Sequence, residues 1–227
     1  MNNDVVHYRF EFADGRKVAL QISADEPQLA ERPAWTELGF SQCRNCPLNT
    51  ATVSHCPYAL RLVEPLRLLG GDDSFAEVTV KVLHHGRGVV VKTTLQRALG
   101  SLMGLLGGLS GCPHTAPLKP MAFFHLPLAS LEETLFRAAG SVLLGQYLRA
   151  RKGLPAEHSL ELLIDTMHAL REVNSGLAER LRGAASHDAP SNALVLLAVQ
   201  AAEMEYSLDT FDSALAPFFA SYWAGEE

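Results

Sequence analysis

Four cysteines are the residues of this chain whose types and spacing could do chemistry. Cys43, Cys46 and Cys56 share the stretch FSQCRNCPLNTATVSHCP, and Cys112 follows much later in SGCPH. Two thiols separated by two residues can grip one ion from a single turn, a third can close the same loop, and a remote fourth completes a tetrahedron. The spacing therefore predicts a metal site made of Cys43, Cys46, Cys56 and Cys112. Zinc is the expected metal, since it tolerates all-sulfur coordination and is redox-inert; an iron-sulfur cluster is the alternative cofactor for four thiolates. His55 or His114, each beside a cysteine, could replace one ligand. Pro47, Pro57 and Pro113 each follow a cysteine and restrict it to extended backbone, which fixes the direction of the thiol. The competing reading makes Cys56 and Cys112 small buried apolar residues and Cys43 with Cys46 a redox pair or a coincidence.

Four thiolates around a divalent ion leave a net charge of about −2, so cations should stand nearby. Arg44, Arg61 and Lys119 are the candidates by sequence proximity. With only three ligands, an open position could hold a hydrolytic water, and Glu64, Asp72, Asp73 or His125 would have to act as base. No HExxH or HxE...CxxC signature supports that chemistry, so a closed structural site is the expectation. No P-loop, dinucleotide-binding glycine motif or GxSxG is present, and no catalytic residue is named.

Other polar groups have ordinary explanations beside the functional ones. The turn HHGRG could bind an anion but suits a hairpin. Lys92, Arg97, Lys119 and Arg137 could converge on an anionic ligand. Glu133 and Arg137, four apart, should form a surface ion pair. Gln146, Asn174 and Asn192 interrupt apolar helices as hydrogen-bonding cross-links, and His125 reads as a hydrogen-bonded core histidine.

The elements that must position the thiols follow from periodicity. Val6, Tyr8, Phe10 and Phe12 alternate with polar residues, Asp14-Gly15 turns the chain, and Val18, Leu20 and Ile22 alternate again, which predicts a hairpin. Val78, Val80 and Val82 with Val89 to Val91 predict a second hairpin in the same antiparallel sheet. Between the hairpins lie the cysteine loop and a helix from Pro57 to Leu69, bent by Pro65. A helix from Thr93 carries Leu95, Leu99, Leu102, Met103 and Leu106, with Gly100, Gly104 and Gly107 as thin places for close packing, and delivers Cys112 beyond its end. Residues 113–129 read as an ordered extended connection. Ser130-Leu131-Glu132-Glu133 is a capping box for a helix to Gly153 with Leu143 and Tyr147 inward. Further helices are expected from Glu157 to Arg182, from about Ser191 to Tyr206, and near Pro217. The fold class is α+β: a small antiparallel sheet with a cysteine-rich metal loop, packed on a C-terminal helical bundle. The halves 1–92 and 93–227 should form one compact unit.

The 227 residues suffice for a substantial core, and 48% apolar with 19% charged residues describe a soluble globular protein. A net charge of −6 gives no electrostatic reason to expect nucleic acid or an anionic membrane. Without a signal-like start or an uninterrupted apolar span, the protein is expected in the cytoplasm, where clustered cysteines favour metal over disulfides. Phe218, Phe219, Tyr222 and Trp223 would suit either core or a homodimer surface.

CRNCPL with a following HCP, then TLQRALGSLMGLL, SGCPHT and KPMAFFHLPLASLEETLFRA, resembles an uncharacterised bacterial protein family over most of the chain. The resemblance implies a bacterial, cytoplasmic protein with a metal-type cysteine set and supplies no activity. The function expected is a zinc-stabilised intracellular binding or regulatory protein with an unknown small ligand or protein partner. The alternatives are a metal-dependent hydrolase of a small anionic substrate and an iron-sulfur redox sensor.

Overall fold

The structure, a computed structural model, describes residues 5–184, 188–209 and 211–222, without the side chains of 205, 207–209 and 211–214. Four strands form one antiparallel sheet: β1 Val6–Phe12, β2 Lys17–Ile22, β3 Glu77–His84 and β4 Arg87–Thr94, in the order β2-β1-β3-β4. Strict alternation creates this sheet. Val6, Tyr8 and Phe10, Val18, Leu20 and Ile22, and Val78, Val80 and Val82 are all buried on one face. The opposite face is wet and holds ion pairs such as Lys81 with Glu11 at 2.9 Å and Lys92 with Glu77 at 3.0 Å. Pairing of β1 with β3, Phe10 opposite Val80, joins the two hairpins across the long excursion that carries the cysteine loop. The HHGRG segment is a two-residue hairpin turn, with His85 and Gly86 at φ +50° and +72°, the left-handed pair that such a turn requires.

Among the described residues, seven α-helices follow or interrupt the sheet: α1 Pro57–Leu69, α2 Leu95–Leu109, α3 Lys119–Phe123, α4 Leu131–Arg151, α5 Glu161–Arg182, α6 Ala189–Asp209 and α7 Phe211–Phe219. The fold is α+β, as the alternation followed by helical periodicity implies. Pro57 opens α1 at its first turn, where a missing N–H costs nothing, and Pro65 lies inside it. Ser130 caps α4 with both bonds of the capping box, Glu133 N–H to Ser130 Oγ at 3.2 Å and Ser130 N–H to Glu133 Oε2 at 2.8 Å. None of the helices of the described residues is long and apolar enough to cross a membrane.

Three local expectations are corrected. Residues 113–129 are not simply extended: Ala116–Leu118 make a 3₁₀ turn that continues into α3, because Pro117 and Pro120 stand at first-turn positions where proline starts a helix. Leu143 and Tyr147 are 38% and 49% exposed, since only the first part of α4 packs, through Leu135, Ala138, Ala139 and Val142. Glu133 and Arg137 make no ion pair among the described residues. The Glu133 carboxylate is spent on the capping box, and Arg137 donates instead to the carbonyls of Met121 and Phe124 at 3.1 and 2.7 Å. The polar interruptions behave as cross-links at two places: Gln146 accepts from Glu157 N–H, and Asn192 donates to Asp188. Of the C-terminal aromatics, Phe218 and Tyr222 are 75% and 85% exposed, and Trp223 lies outside the described residues.

Buried side chains fall into two clusters. One joins the sheet to α1, α2, the C-terminal half of α5 and the start of α6; the other joins α4, the N-terminal half of α5, the later part of α6 and Leu215 of α7. A bond from the sheet reaches toward the seam: the Tyr8 hydroxyl lies 2.6 Å from His125 Nε2 and 3.1 Å from Ser101 Oγ. Burial, helped by the charges of Arg137 and His84, pushes the His125 imidazole from its ordinary 6.5 down to about 3, so it is neutral at physiological pH. In the unfolded chain the ring takes up its proton near pH 6.5, so between that pH and about 3 the unfolded state binds one proton more. The stability His125 contributes is therefore full above pH 6.5 and lost as pH falls toward 3, a change on the order of a few kcal/mol. Urea denaturation of the wild type across this range should lose stability more steeply than that of a His125→Gln variant; equal slopes would contradict the assignment.

Candidate metal centre

The cysteine loop is closed at its neck before any thiol is considered. Glu37 bridges His55 in antiparallel fashion, Leu38 N–H donates to Ser54 at 2.9 Å and Cys56 N–H donates to Thr36 at 2.8 Å. Within the loop, Cys46 N–H donates to the Cys43 carbonyl at 3.0 Å, a tight turn that keeps both thiols on one side. Cys56 is the N-cap of α1, with Pro57 as its first residue. Cys112 follows the end of α2, its N–H bonded to Ser110 Oγ at 3.1 Å.

These segments meet. All four cysteines line one small cavity of about 20 Å³, together with Leu48, Tyr58 and His114 and with Val173 and Leu177 of α5. That volume accommodates a single water-sized body. No disulfide links them. Burial pushes the Cys43 thiol up to about 12, and negative charge on Cys56, Cys46 and Cys112 pushes in the same direction, as only near neighbours can. Cys112 is also raised by burial, while the backbone amides of His114 and Thr115 hydrogen-bond to its sulfur and oppose the shift. Such amides favour the thiolate, the form that binds metal. Among the described residues, however, no group of three or more His, Cys, Asp or Glu side chains stands ready-made to hold a metal ion. The thiols are gathered on one cavity without being drawn onto a common centre.

Of the two neighbouring histidines, His114 lines the cavity and His55 does not. His114 Nε2–H donates to the Asn45 carbonyl at 2.7 Å, and Asn45 in turn donates to Ala169 of α5 at 3.0 Å. His55 Nδ1 is bonded to Thr36 Oγ1 at 2.9 Å in the neck. The candidate bases Glu64, Asp72, Asp73 and His125 are absent from the cavity lining; Glu64 pairs with Arg67 at 2.8 Å and Asp72 pairs with Arg16. Arg61 is committed to the carbonyls of Ser23 and Ala24 at 2.8 and 2.9 Å, Lys119 lies over the Phe123 ring, and Arg44 is exposed. Of the four cations that could have converged elsewhere, Arg97 and Arg137 face one larger cavity, while Lys92 is drawn off by Glu77.

Sequence reading missed the two residues of α5 that seat the loop. Arg180, 1% exposed, donates to the carbonyls of Trp35, Glu37 at 2.7 Å and Leu38 at 3.2 Å, all in the neck. Burial lowers its pKa, and negative charge on Cys56, Cys43 and Cys46 opposes that shift, so this guanidinium is the cation beside the thiols. Its Nε–H is buried without an acceptor among the described residues. Gly176 provides the space: a Cβ there would lie 2.9 Å from Cys43 Sγ and 3.1 Å from Cys43 Cα. The sole signal in the sequence was a glycine and an arginine on an otherwise regular amphipathic helix, which spacing alone does not connect to Cys43.

An α+β protein in which three cysteines of a sheet-side loop and a fourth beyond α2, all reduced, meet beside a helix is the class that fold and site define. The chain belongs to the family described as a domain of unknown function, DUF6901, whose model matches residues 6–220. No curated protein and no solved structure matches it.

An alanine ordinarily stabilises a helix interior over glycine by about 1 kcal/mol. Gly176→Ala should do the reverse here, lowering the thermal midpoint and displacing the Cys43 loop, because the new methyl meets backbone as well as sulfur. A raised midpoint would refute this packing. Arg180→Met should cost about 3 kcal/mol or more in urea denaturation, because the carbonyls at the neck lose a charged donor.

Proposed function

We propose that Cys43, Cys46, Cys56 and Cys112 bind one zinc ion as thiolates and that the protein is a zinc-stabilised binding or regulatory protein. The observation that carries this reading is the meeting of four free thiols from well-separated segments on one ion-sized cavity. The reading requires the four side chains to turn so that their sulfurs face one common centre. The supporting chemistry is consistent with a thiolate set: amides on the Cys112 sulfur, a buried guanidinium beside three of the cysteines, and a neck that fixes the ends of the loop.

The ion's proposed role is structural. Its surroundings are the apolar Leu48, Val173 and Leu177, no carboxylate lines the cavity to serve as a base, and the volume favours a single ion over a cluster. A hydrolase would need an open ligand position and a proton acceptor at the metal. When bound, zinc would tie the loop to the end of α2 and to α5, and so join the sheet side to the helical side through one polyvalent contact.

Protein purified in the presence of zinc should carry about one equivalent by elemental analysis and be colourless. Cys112→Ser should lower metal content and thermal midpoint together. Unchanged stoichiometry in that variant, or a brown wild type prepared without oxygen, would overturn the zinc assignment. Because burial raises the Cys43 and Cys112 thiols, loading should release protons, and affinity should weaken by about one decade per pH unit for each proton released as pH falls.

A further inference from the structure

The seam between the two hydrophobic clusters contains a second, much larger cavity of about 530 Å³, within the range of about 300–1,000 Å³ typical of small-molecule sites. One wall is the glycine-bearing face of α2. Of its glycines, Gly108 lets α3 approach, with Ala122 Cβ 2.9 Å from where a Cβ would sit, and at Gly100 a Cβ would make an ordinary contact with Ala193 O of α6 at 3.7 Å. Gly104 does neither: nothing lies within 4 Å of its Cβ position, because the cavity is there. The facing walls come from both clusters and include Ala122 and Leu197 from one and Leu118, Met121, Leu170 and Met204 from the other.

Polar side chains also line this space, and two of them, Arg97 and Arg137, are cationic. Arg137 is half-buried in the lining, and one of its terminal nitrogens is held by the carbonyls of Met121 and Phe124. No carboxylate forms a direct ion pair with it among the described residues; the charge of Glu133, one turn away, acts on it, but that carboxylate is bonded to the helix cap, and Glu203 and Arg97 lie at exposed positions of the lining. Ser101 and neutral His125 stand in the same lining, already bonded to Tyr8. Asn174, 5% exposed on α5, lines it too and makes no side-chain hydrogen bond among the described residues. An unpaired guanidinium and a buried amide beside an apolar chamber match a ligand with a long hydrocarbon body and one anionic, hydrogen-bonding end.

We infer that this cavity binds an amphipathic carboxylate, its hydrocarbon lying along Gly104 of α2 and its carboxylate meeting the guanidinium of Arg137. The inference rests on reading the protein as a binding protein and is independent of the ion. Apolar surface on both sides of the seam would be removed from water by the hydrocarbon, and Arg137 would gain a directly bonded carboxylate, which it lacks among the described residues.

Titration calorimetry at neutral pH with decanoate, and with 1-decanol as the uncharged control, tests it on the full chain. Decanoate is expected to bind one-to-one, more tightly than decanol. Arg137→Met should weaken decanoate by about tenfold or more and leave decanol unchanged, the loss expected for a charge-assisted hydrogen bond. Since Arg137 also ties down α3, a second variant is needed: Gly104→Leu fills the open space, replaces a helix-weakening glycine, and should abolish binding of both probes without lowering the thermal midpoint. Absence of decanoate binding, equal affinity for both probes, or retained binding in Gly104→Leu would each overturn the inference. Metal content measured on the same preparations separates the two proposals. Zinc-loaded protein that takes up no decanoate overturns the cavity inference alone, and zinc-free protein that binds it in an Arg137-dependent way supports the inference while overturning the metal reading.

Discussion

A positive charge withdrawn from water holds the cysteine loop to the helical side of the molecule. Arg180 is costly to bury, and that cost is offset by the carbonyl oxygens at the neck of the loop that accept from it. Without it, the chain between β2 and α1 would carry unpaired carbonyls against an apolar helix. With it, the neck becomes a short, fixed frame, and Cys43, Cys46 and Cys56 are held over the same stretch of α5 that meets Cys112.

The seam between the two clusters is a second constraint, and glycine controls it. A single helix, α2, uses one small residue to accept a neighbouring helix, another to accept the Tyr58 ring, and a third to leave a chamber. Tyr58 belongs to both sites: it lines the thiol cavity and the larger one, its hydroxyl donating to Met103 O at 2.7 Å while its ring is pressed on Gly107. A displacement of that ring is shared by the two cavities.

Much of the architecture was legible because its determinants are local. The alternation in β1, β2 and β3, the Asp14-Gly15 and His85-Gly86 turns, and the Ser130 capping box each act within a few residues, and each is found where the pattern implied. The grouping of four cysteines could be inferred from residue type and spacing, since few environments gather that many reduced thiols. Arg180 and Gly176 could not, because their roles exist only through contacts with residues more than a hundred positions earlier. The inward face assigned to Leu143 and Tyr147 failed for a similar reason: periodicity identifies an apolar stripe, but not how far along it a neighbouring helix extends. The basic cluster divided because Glu77 on the sheet claims Lys92, a cross-strand partner invisible to helical spacing. In the proline-rich connection, composition suggested extension, yet two prolines sit where a helix begins.

The seat that α5 provides for Cys43 sets an order of events on the ribosome. The loop and its neck emerge early, Cys112 later, and Gly176 with Arg180 only when most of the polypeptide has been made. Until α5 arrives, the four sulfurs have neither its cover nor the guanidinium beside them. Nascent chains therefore pass through an interval in which these sulfurs are more open to oxidants and stray metals than in the finished molecule, where Cys56 is buried and the others are half-buried.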